Sequence, residues 1–224
     1  MSRPILVFDL DGTLVDTAPD LAKTLDTILQ RAGLEPLPYD DVKSMIGDGA
    51  RAMLERALRT RNADVSVAEL DRMFSDFIEH YAAHIADASR PFPGLDAALD
   101  QLADKGFVFV VCTNKLEWLS RRLLDALDLA RRFAFICGQD TFGVKKPDPA
   151  ILRLTIERAG GKIGDAVMVG DSAADIDTAR AAGIPVIAVD FGYTEIPVAE
   201  MKPDLIISHF DALPAAVVEL QQRT

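Results

Sequence analysis

The sequence has few of the residues that form disulfides or bind transition metals: its 224 residues include two cysteines and three histidines. Cys112 and Cys137 lie in apolar runs with no cysteine or histidine at metal-binding spacing, so we expect buried free thiols in a reducing compartment. His80 and His84 have a spacing that zinc sites use, but no third ligand is evident. We expect these two histidines at the surface or facing a hinge.

Long hydrophobic runs are also absent. No stretch approaches the ~20 apolar residues of a membrane span. The short run that begins at Ile5 ends in acidic residues, unlike a signal peptide. These absences predict a cytoplasmic protein without a membrane partner. A hydrophobic fraction of 49% is nevertheless enough to bury a core, as one large domain or as a core with a smaller partner.

Positive charge is in deficit, with 24 Lys and Arg residues against 35 Asp and Glu residues and a formal net charge of -11. This charge argues against nucleic acid or an anionic membrane as a main partner, because both are polyanions. The simpler interpretation is a solvated cytosolic surface. A phosphorylated metabolite would also be repelled, so a phosphate site in this protein requires cations of its own.

Six short apolar segments predict the strands of a sheet; they begin at Ile5, Phe107, Phe133, Ala166, Pro185 and Leu205. Most are continuously apolar, which is typical of strands buried on both faces. Segments with a helical pattern lie between the later ones, at 96–105, 116–127, 149–159 and 173–182. This alternation predicts an α/β fold with a doubly wound parallel sheet.

The segment after the first strand lacks a convincing strand and has helical patterns instead. One helix opens the segment, a second runs near 50–58, and a third begins at Ser66, where Glu69 completes a capping box. We therefore predict an inserted all-helical domain within an α/β core. The helical domain is formed by residues 17–84, and the core by residues 1–16 and 85–224.

Three of the predicted strands end in residues suited to phosphate chemistry. They are Asp9 and Asp11 after the first strand, Thr113 and Asn114 after the second, and Asp171 and Asp175 after the fourth. In an open parallel sheet, ligands bind at the carboxyl ends of the strands. We therefore expect these residues, which are distant in sequence, to collect at one edge of the sheet.

Asp9 and Asp11 are predicted to lie beside a divalent cation. Residues two apart in an extended chain project to the same side, and two unit charges ~4 Å apart repel by roughly 4 kcal/mol at an effective dielectric constant of 20. Mg²⁺ resolves such repulsion, because it binds one or two carboxylates together with water and substrate phosphate. Taken alone, DLDG fits equally well as a helix cap at Asp9 followed by an ordinary Asp11-Gly12 turn.

Thr113 and Asn114 offer a hydroxyl and backbone N–H groups where a strand turns into a helix, which suits a phosphate group. A plain helix cap is the alternative, and Lys115 is expected to be solvated. In KKPDP, one lysine can contact the phosphate and keep a nucleophilic carboxylate ionised. Pro147 favours Lys146 for this role by fixing its backbone direction, and a solvated basic turn is the competing interpretation.

Asp171 and Asp175 are four residues apart across a strand-to-helix turn. Asp171 can bind the metal, whereas Asp175 can bind a metal-bound water or orient Lys146. Helix-capping carboxylates are the alternative for this pair. Asp177 is expected at the surface.

The motifs DLDGTLVDT, CTN, KKPDP and GDSAADID, in this order between Asp9 and Asp177, resemble those of the haloacid dehalogenase superfamily of aspartyl phosphotransferases. The strand and helix pattern resembles the Rossmann-like core of that superfamily over essentially the whole chain. The insert after the first motif is similar to its helical-cap class. Within that class, YDDVKSMIGDG, IGDGARAMLERAL and FGYTEIP resemble bacterial phosphoglycolate phosphatases.

This resemblance implies a role for each motif. Asp9 would be the nucleophile, and Asp11 would protonate the leaving alkoxide and then activate water against the aspartyl-phosphate. Mg²⁺ would lie among the Asp9 carboxylate, the Asp11 carbonyl oxygen and the Asp171 carboxylate. The substrate site would contain Gly12, and the phosphoryl oxygens would be held by Thr113, Asn114 and Lys146.

The cap is expected to close over the site, exclude water and select the leaving group. The turn Gly47-Asp48-Gly49 opens a helix and presents N–H donors, and Arg51 can form a bidentate contact with a substrate carboxylate such as that of phosphoglycolate. The alternative is that this turn only joins two cap helices and that Arg51 is a surface charge.

Three functions remain open on these features. The first is a Mg²⁺-dependent phosphatase for a small phosphorylated metabolite, with 2-phosphoglycolate as first candidate, acting as a monomer or homodimer. A sugar-phosphate mutase would use the same motifs but bind a second phosphate in the cap. A phospho-accepting switch similar to receiver domains would leave the cap unexplained. Asp11 is placed to speed dephosphorylation, which weighs against such a switch.

Overall fold

Six of the strands form one parallel sheet in a computed structural model that describes residues 3–194 and 196–223. The strands are β1 (Ile5–Phe8), β2 (Val15–Asp16), β3 (Arg90–Pro91), β4 (Val108–Cys112), β5 (Phe135–Cys137), β6 (Ala166–Gly170), β7 (Val186–Val189) and β8 (Leu205–Ile207). Their order in the sheet is β5-β4-β1-β6-β7-β8, and all neighbours are parallel. The predicted α/β class with a parallel sheet is confirmed.

The described residues form nine α-helices. They are α1 (Ala18–Arg31), α2 (Tyr39–Ser44), α3 (Ala50–Thr60), α4 (Val67–Ala83), α5 (Leu95–Asp104), α6 (Glu117–Ala126), α7 (Pro149–Arg158), α8 (Ala173–Ala182) and α9 (Leu213–Arg223). The predicted capping box of Ser66 and Glu69 is present at the start of α4. Helices α2 and α9 were not predicted, and α2 is too short to show a hydrophobic period.

Helices cover both faces of the sheet, because successive residues of a strand point to opposite sides. Leu6 and Phe8 of β1 pack with α5, α6 and α9, whereas Ile5 and Val7 pack with α7 and α8. All four side chains are buried. Burial on both faces is the physical reason for the continuous apolar runs in the sequence, and it makes the sheet doubly wound.

The register of the three central strands aligns their carboxyl ends. Phe8 of β1 lies opposite Val111 of β4 and Val169 of β6. The chain therefore leaves all three strands at the same edge of the sheet. The residues that follow there are Asp9 after β1, Thr113 after β4 and Asp171 after β6.

Helices α1 to α4 are inserted between the two strands of a short antiparallel ribbon. Val15 of β2 pairs with Pro91 of β3, and Asp16 pairs with Arg90. The chain consequently leaves the core and returns to it at one point. The range 17–84 encloses these four helices, and its treatment as a separate domain remains a prediction.

Four residues lie outside the described part of the chain: Met1, Ser2, Glu195 and Thr224. The predicted core boundaries include all of them, and the FGYTEIP segment includes Glu195. Among the described helices, none combines the length and the apolar character that crossing a bilayer requires. Cys112 and Cys137 lie opposite each other on β4 and β5, and both are buried free thiols, as predicted.

Candidate active site

The loop before α7 carries a lysine into the cluster of carboxylates at the strand ends. The Lys146 Nζ atom lies 2.7 Å from Asp9 Oδ1 and 2.5 Å from Asp175 Oδ1. All three side chains are buried, so these are ion pairs shielded from water. Of the two lysines of KKPDP, Lys146 is therefore the one that the fold brings to Asp9. Lys145 is exposed and donates to the Asp48 carbonyl oxygen at 3.4 Å.

When ionised, the carboxylates of Asp9, Asp171 and Asp175 carry more negative charge than the ammonium group of Lys146 can neutralise. Burial raises the pKa of Asp9 to about 6, against the attraction of Lys146. Burial, together with the charges of Asp175 and Asp9, raises the pKa of Asp171 to about 8. Burial by itself would lower the pKa of Lys146, but Asp175 and Asp9 outweigh it and raise that pKa above its ordinary value. A further cation at this edge of the sheet would relieve the repulsion among the carboxylates.

The donor set of the cluster fits a hard divalent cation. One carboxylate oxygen from each of Asp9, Asp171 and Asp175 lies within 4.8 Å of the others. Oxygen ligands of this kind suit Mg²⁺. The Asp171 carboxylate is fixed in place, since Oδ1 accepts a hydrogen bond from Thr13 Oγ1 at 2.7 Å and Oδ2 accepts one from the Tyr193 N–H at 2.9 Å.

Asp175 accepts more hydrogen bonds than Asp9 or Asp171. Its Oδ2 accepts hydrogen bonds from the N–H groups of Asp171 and Ser172 and from the Ser172 hydroxyl. Its Oδ1 accepts from Lys146. These bonds favour the second of the two roles predicted for Asp175, which is to orient Lys146, over the first, which is to bind a metal-bound water.

Lys115 is buried, and the prediction that it is solvated was wrong. Its Nζ atom donates to Asp11 Oδ1 at 2.8 Å and to Oδ2 at 3.1 Å. It also lies 4.5 Å from the centre of the Tyr81 ring on α4. The sequence could not reveal this position, because the ring that covers Lys115 comes from the inserted helices and not from the core.

Asn114 connects the strand-end cluster to the inserted helices. Its side-chain Oδ1 accepts from the Lys146 N–H at 2.9 Å. Its Nδ2 donates to the Lys146 carbonyl oxygen at 3.2 Å and to the Gly47 carbonyl oxygen at 3.1 Å. The neighbouring Thr113 hydroxyl accepts from the Lys115 N–H at 3.2 Å. Both the Oδ1 and the Nδ2 atoms of Asn114 are thus hydrogen-bonded to other protein groups. Only the backbone of Asn114 suits the predicted phosphate contact.

The predicted substrate contacts on the inserted helices differ in where they lie. Gly49 ends the turn between α2 and α3 and faces Asn114, whose carbonyl oxygen would be 3.1 Å from a Cβ atom at Gly49. Arg51 does not join the strand-end cluster. It forms an ion pair with Asp71, its guanidinium lies 5.1 Å from the centre of the Phe74 ring, and its side chain is 43% exposed.

A pocket separates the strand ends from the inserted helices. The residues that line it on the core side include Asp9, Asp11, Thr113, Asn114, Lys115 and Gln139. The residues that line it on the helical side include Gly47, Gly49, Met53, Phe74, Phe77 and Tyr81. The pocket thus joins a charged floor to a largely apolar roof, as in many sites for small molecules.

Comparison with known proteins identifies the family. The family model of haloacid dehalogenase-like hydrolases matches residues 6–189. The chain belongs to this family. The phosphoglycolate phosphatase of Mesorhizobium japonicum is 50% identical to it over 223 residues, which cover 100% of this chain and 97% of that protein. The phosphoglycolate phosphatase of Agrobacterium fabrum is 46% identical over 216 residues, covering 96% and 93%.

A solved structure agrees with these relatives. The crystal structure of a predicted phosphoglycolate phosphatase from Haemophilus somnus 129PT is 28% identical and superposes with a TM-score of 0.88, covering 95% of this chain and 97% of that one. The resemblance stated from the motifs is confirmed, and so is the predicted class of enzyme, a phosphatase of the haloacid dehalogenase-like hydrolases.

Three residues at the site had no assigned role in the sequence analysis: Thr13, Lys115 and Tyr193. Thr13 and Tyr193 lie within the motifs DLDGTLVDT and FGYTEIP, so their positions were marked but their contacts were not. The Tyr193 hydroxyl accepts from the N–H groups of Thr17 at 2.7 Å and Ala18 at 3.0 Å, and it donates to Asp16 Oδ1 at 2.5 Å. Tyr193 therefore ties Asp171 to the start of α1.

Replacing Tyr193 by Phe is expected to lower the free energy of unfolding by about 1–3 kcal/mol, because two buried N–H groups lose their acceptor. Urea denaturation measures this change. Tyr39→Phe is the matched control, since Tyr39 is 47% exposed and its replacement should change stability by less than about 0.5 kcal/mol. Equal denaturation midpoints for the two variants would contradict the prediction.

Replacing Gly192 by Ala is expected to lower turnover by about 10–100-fold, because displacing a side chain of the strand-end cluster by even about 1 Å is costly. A Cβ atom at Gly192 would lie 2.2 Å from the Asp171 Cβ atom, so that side chain must move. Gly164→Ala is the control, because a Cβ atom there meets nothing within 4 Å. Steady-state kinetics of both variants provide the test, and a fully active Gly192→Ala protein would count against it.

Proposed function

We propose that this hydrolase is a Mg²⁺-dependent phosphatase that converts 2-phosphoglycolate to glycolate and phosphate through an aspartyl-phosphate on Asp9. The observation that carries the proposal is the buried Asp9 carboxylate, held 2.7 Å from the Lys146 ammonium beside Asp171 at the strand ends. A carboxylate in this setting is positioned and oriented for attack on phosphorus. The names of the relatives support the choice of substrate.

In the first step, an Asp9 oxygen forms a bond to phosphorus while the bond from phosphorus to the ester oxygen breaks. Asp11 donates a proton to that oxygen, so the product leaves as an alcohol. Lys146 orients Asp9 and contacts the phosphoryl oxygens, together with the Thr113 hydroxyl and the backbone of Asn114. Mg²⁺, when bound by Asp9, the Asp11 carbonyl oxygen and Asp171, supplies positive charge to the transferring phosphoryl group.

In the second step, Asp11 accepts a proton from water, and the water oxygen attacks phosphorus. The bond between phosphorus and Asp9 breaks, which releases phosphate and restores the carboxylate. Asp175 acts through Lys146, whose Nζ atom lies 2.5 Å from Asp175 Oδ1. Splitting the reaction in this way replaces one difficult displacement by two easier ones.

The inserted helices, residues 17–84, are proposed to act as a cap. The hydrogen bond from Asn114 Nδ2 to the Gly47 carbonyl oxygen and the apolar roof of the pocket support this role, because both bring the helices over the strand ends. A closed cap excludes water from the first step. Gly49 contributes backbone to this closure, and Arg51, which is paired with Asp71, is not assigned a substrate contact in this proposal.

Phosphate release from a panel of phosphomonoesters in the presence of Mg²⁺ tests the proposal. We expect the highest kcat/KM for 2-phosphoglycolate, with one phosphate released per substrate. A sugar-phosphate mutase would instead interconvert glucose 1-phosphate isomers without releasing phosphate, and a receiver-like switch would accumulate a stable phosphoprotein without turnover. A flat substrate profile would overturn the choice of substrate but not the phosphatase chemistry.

A further inference from the structure

Lys115 is the one cationic side chain among the described residues that line the pocket between the strand ends and the inserted helices. The other cations near the pocket have different positions. Lys146 lies between Asp9 and Asp175, Arg51 is paired with Asp71, and Lys145 is exposed and bonded to a carbonyl oxygen. An anionic group that enters the pocket in addition to the phosphate therefore meets Lys115.

Tyr81 provides a second polar group beside Lys115. Its side chain is 1% exposed and lines the same pocket. Its hydroxyl is buried and makes no hydrogen bond of good geometry to any residue in the described ranges. A buried hydroxyl of this kind normally has a partner, so a ligand oxygen in the pocket would satisfy it.

The position of Lys115 beside Asp11 matches the chemistry of the proposed substrate. Asp11 is the group that protonates the ester oxygen, so that oxygen must lie close to it. The Lys115 Nζ atom is 2.8 Å from Asp11 Oδ1. In 2-phosphoglycolate a single methylene separates the ester oxygen from the carboxylate carbon. A cation adjacent to the acid is therefore within reach of the carboxylate when the phosphoryl group is at Asp9.

We propose that Lys115 and the Tyr81 hydroxyl bind the carboxylate of the leaving group, and that Lys115 thereby selects substrates with a second anionic group. The substrate carboxylate takes the place of Asp11 on the Lys115 ammonium, and Asp11 turns to the ester oxygen. This inference rests on the proposed function. It assigns carboxylate recognition to the residue that directly follows Asn114 in the core, and not to Arg51.

Two substrates that differ only at the carboxylate test the proposal: 2-phosphoglycolate and 2-hydroxyethyl phosphate, which has a neutral hydroxymethyl group instead. The measured quantity is the ratio of their kcat/KM values with Mg²⁺ present. The wild-type protein is expected to favour 2-phosphoglycolate by about 100-fold or more, since a site built for a polar group rejects an analogue that lacks it. Lys115→Met should bring this ratio close to one, mainly by lowering kcat/KM for 2-phosphoglycolate.

Three further variants separate a contact with the carboxylate from other effects. Lys115→Arg, which keeps the charge, should retain part of the selectivity. Tyr81→Phe should lower the ratio by about 5–10-fold without loss of the fold, because only one hydroxyl is removed. Lys145→Gln, which removes an exposed positive charge near the pocket, should leave the ratio unchanged if selectivity depends on contact and not on long-range attraction.

Each outcome bears on a different claim. An unchanged ratio of the two kcat/KM values in folded Lys115→Met protein would overturn the inference. If that variant fails to fold, a wild-type ratio in both single variants, Tyr81→Phe and Lys115→Arg, would do the same. A wild-type protein that hydrolyses both substrates equally would overturn carboxylate selection but leave the phosphatase chemistry intact. A wild-type protein that hydrolyses neither substrate would overturn the proposed function itself.

Discussion

Replacing Asp9 by Asn is expected to reduce phosphate release by at least ~10⁴-fold, as loss of a covalent nucleophile does in other enzymes. The amide has nearly the same shape as the carboxylate, but it is a poor nucleophile and cannot form the acyl phosphate. The fold should be retained, because Lys146 keeps its ion pair with Asp175 at 2.5 Å. Substrate binding should persist, since Lys146 and Thr113 remain in place.

Initial-rate measurements of phosphate release and calorimetric titration with 2-phosphoglycolate examine these two expectations separately. Asp104→Asn is a matched control, because it makes the same chemical change at an exposed position at the end of α5. This control should turn over substrate at the wild-type rate. Substantial activity in Asp9→Asn would mean that the nucleophile is another residue.

Removing divalent cations with EDTA is expected to lower turnover by at least ~10³-fold, and added Mg²⁺ should restore it. The reason is the charge of the site, where Asp9, Asp171 and Asp175 are buried beside one ammonium group, that of Lys146. A phosphoryl group would bring more negative charge to the same place. Equal rates with EDTA and with Mg²⁺ would contradict the mechanism.

The stabilising effect of Mg²⁺ should also depend on pH. In the metal-free folded protein the pKa of Asp9 is raised from 3.8 to about 6 and that of Asp171 from 3.8 to about 8, chiefly by burial. Asp9 between pH 3.8 and about 6, and Asp171 between pH 3.8 and about 8, therefore bind more protons in the folded state than in the unfolded state. The contribution of these two carboxyls to the free energy of unfolding of the metal-free protein thus falls as the pH rises through this window.

If the proposed site is correct, Mg²⁺ competes with those protons for the same carboxylates, so its binding should strengthen as the pH rises. We expect the Mg²⁺-induced increase in Tm to be larger at about pH 8 than at about pH 5.5. Thermal denaturation followed by circular dichroism measures this difference. Asp171→Asn should reduce it, and an increase in Tm that is no larger at the higher pH would count against these carboxylates as the metal site.

The central sheet could be predicted from the sequence because its strands are buried on both faces. A strand buried on both faces requires a continuous apolar run in the sequence, such as ILVF, and the first polar residue marks the end of that run. The parallel arrangement then brings Asp9, Thr113 and Asp171 to one edge, since the carboxyl ends of parallel strands meet there. The capping box at Ser66 is likewise local, because both of its members lie within four residues.

The partners of the charged side chains could not be predicted in the same way. Lys115 and Asp11 are 104 residues apart in sequence, and the Tyr81 ring over Lys115 belongs to the inserted helices. A lysine after a strand looks the same whether it is solvated or paired. The ion pair between Arg51 and Asp71, 20 residues apart, was likewise not predicted, and whether Arg51 contacts the substrate stays a prediction.

The sequence by itself determined the class of fold, the order of the motifs and the set of carboxylates at the strand ends, with Asp9 first among them. These follow from local patterns, hydrophobic runs and turn residues, whose physical causes act within a few residues. Only the tertiary structure decided that Asp175 holds Lys146, that Lys115 is buried against Asp11, and that Tyr81 lies over it. Such pairings depend on burial and on distances of a few ångströms between segments far apart in the chain, and the sequence carries no local signal for either.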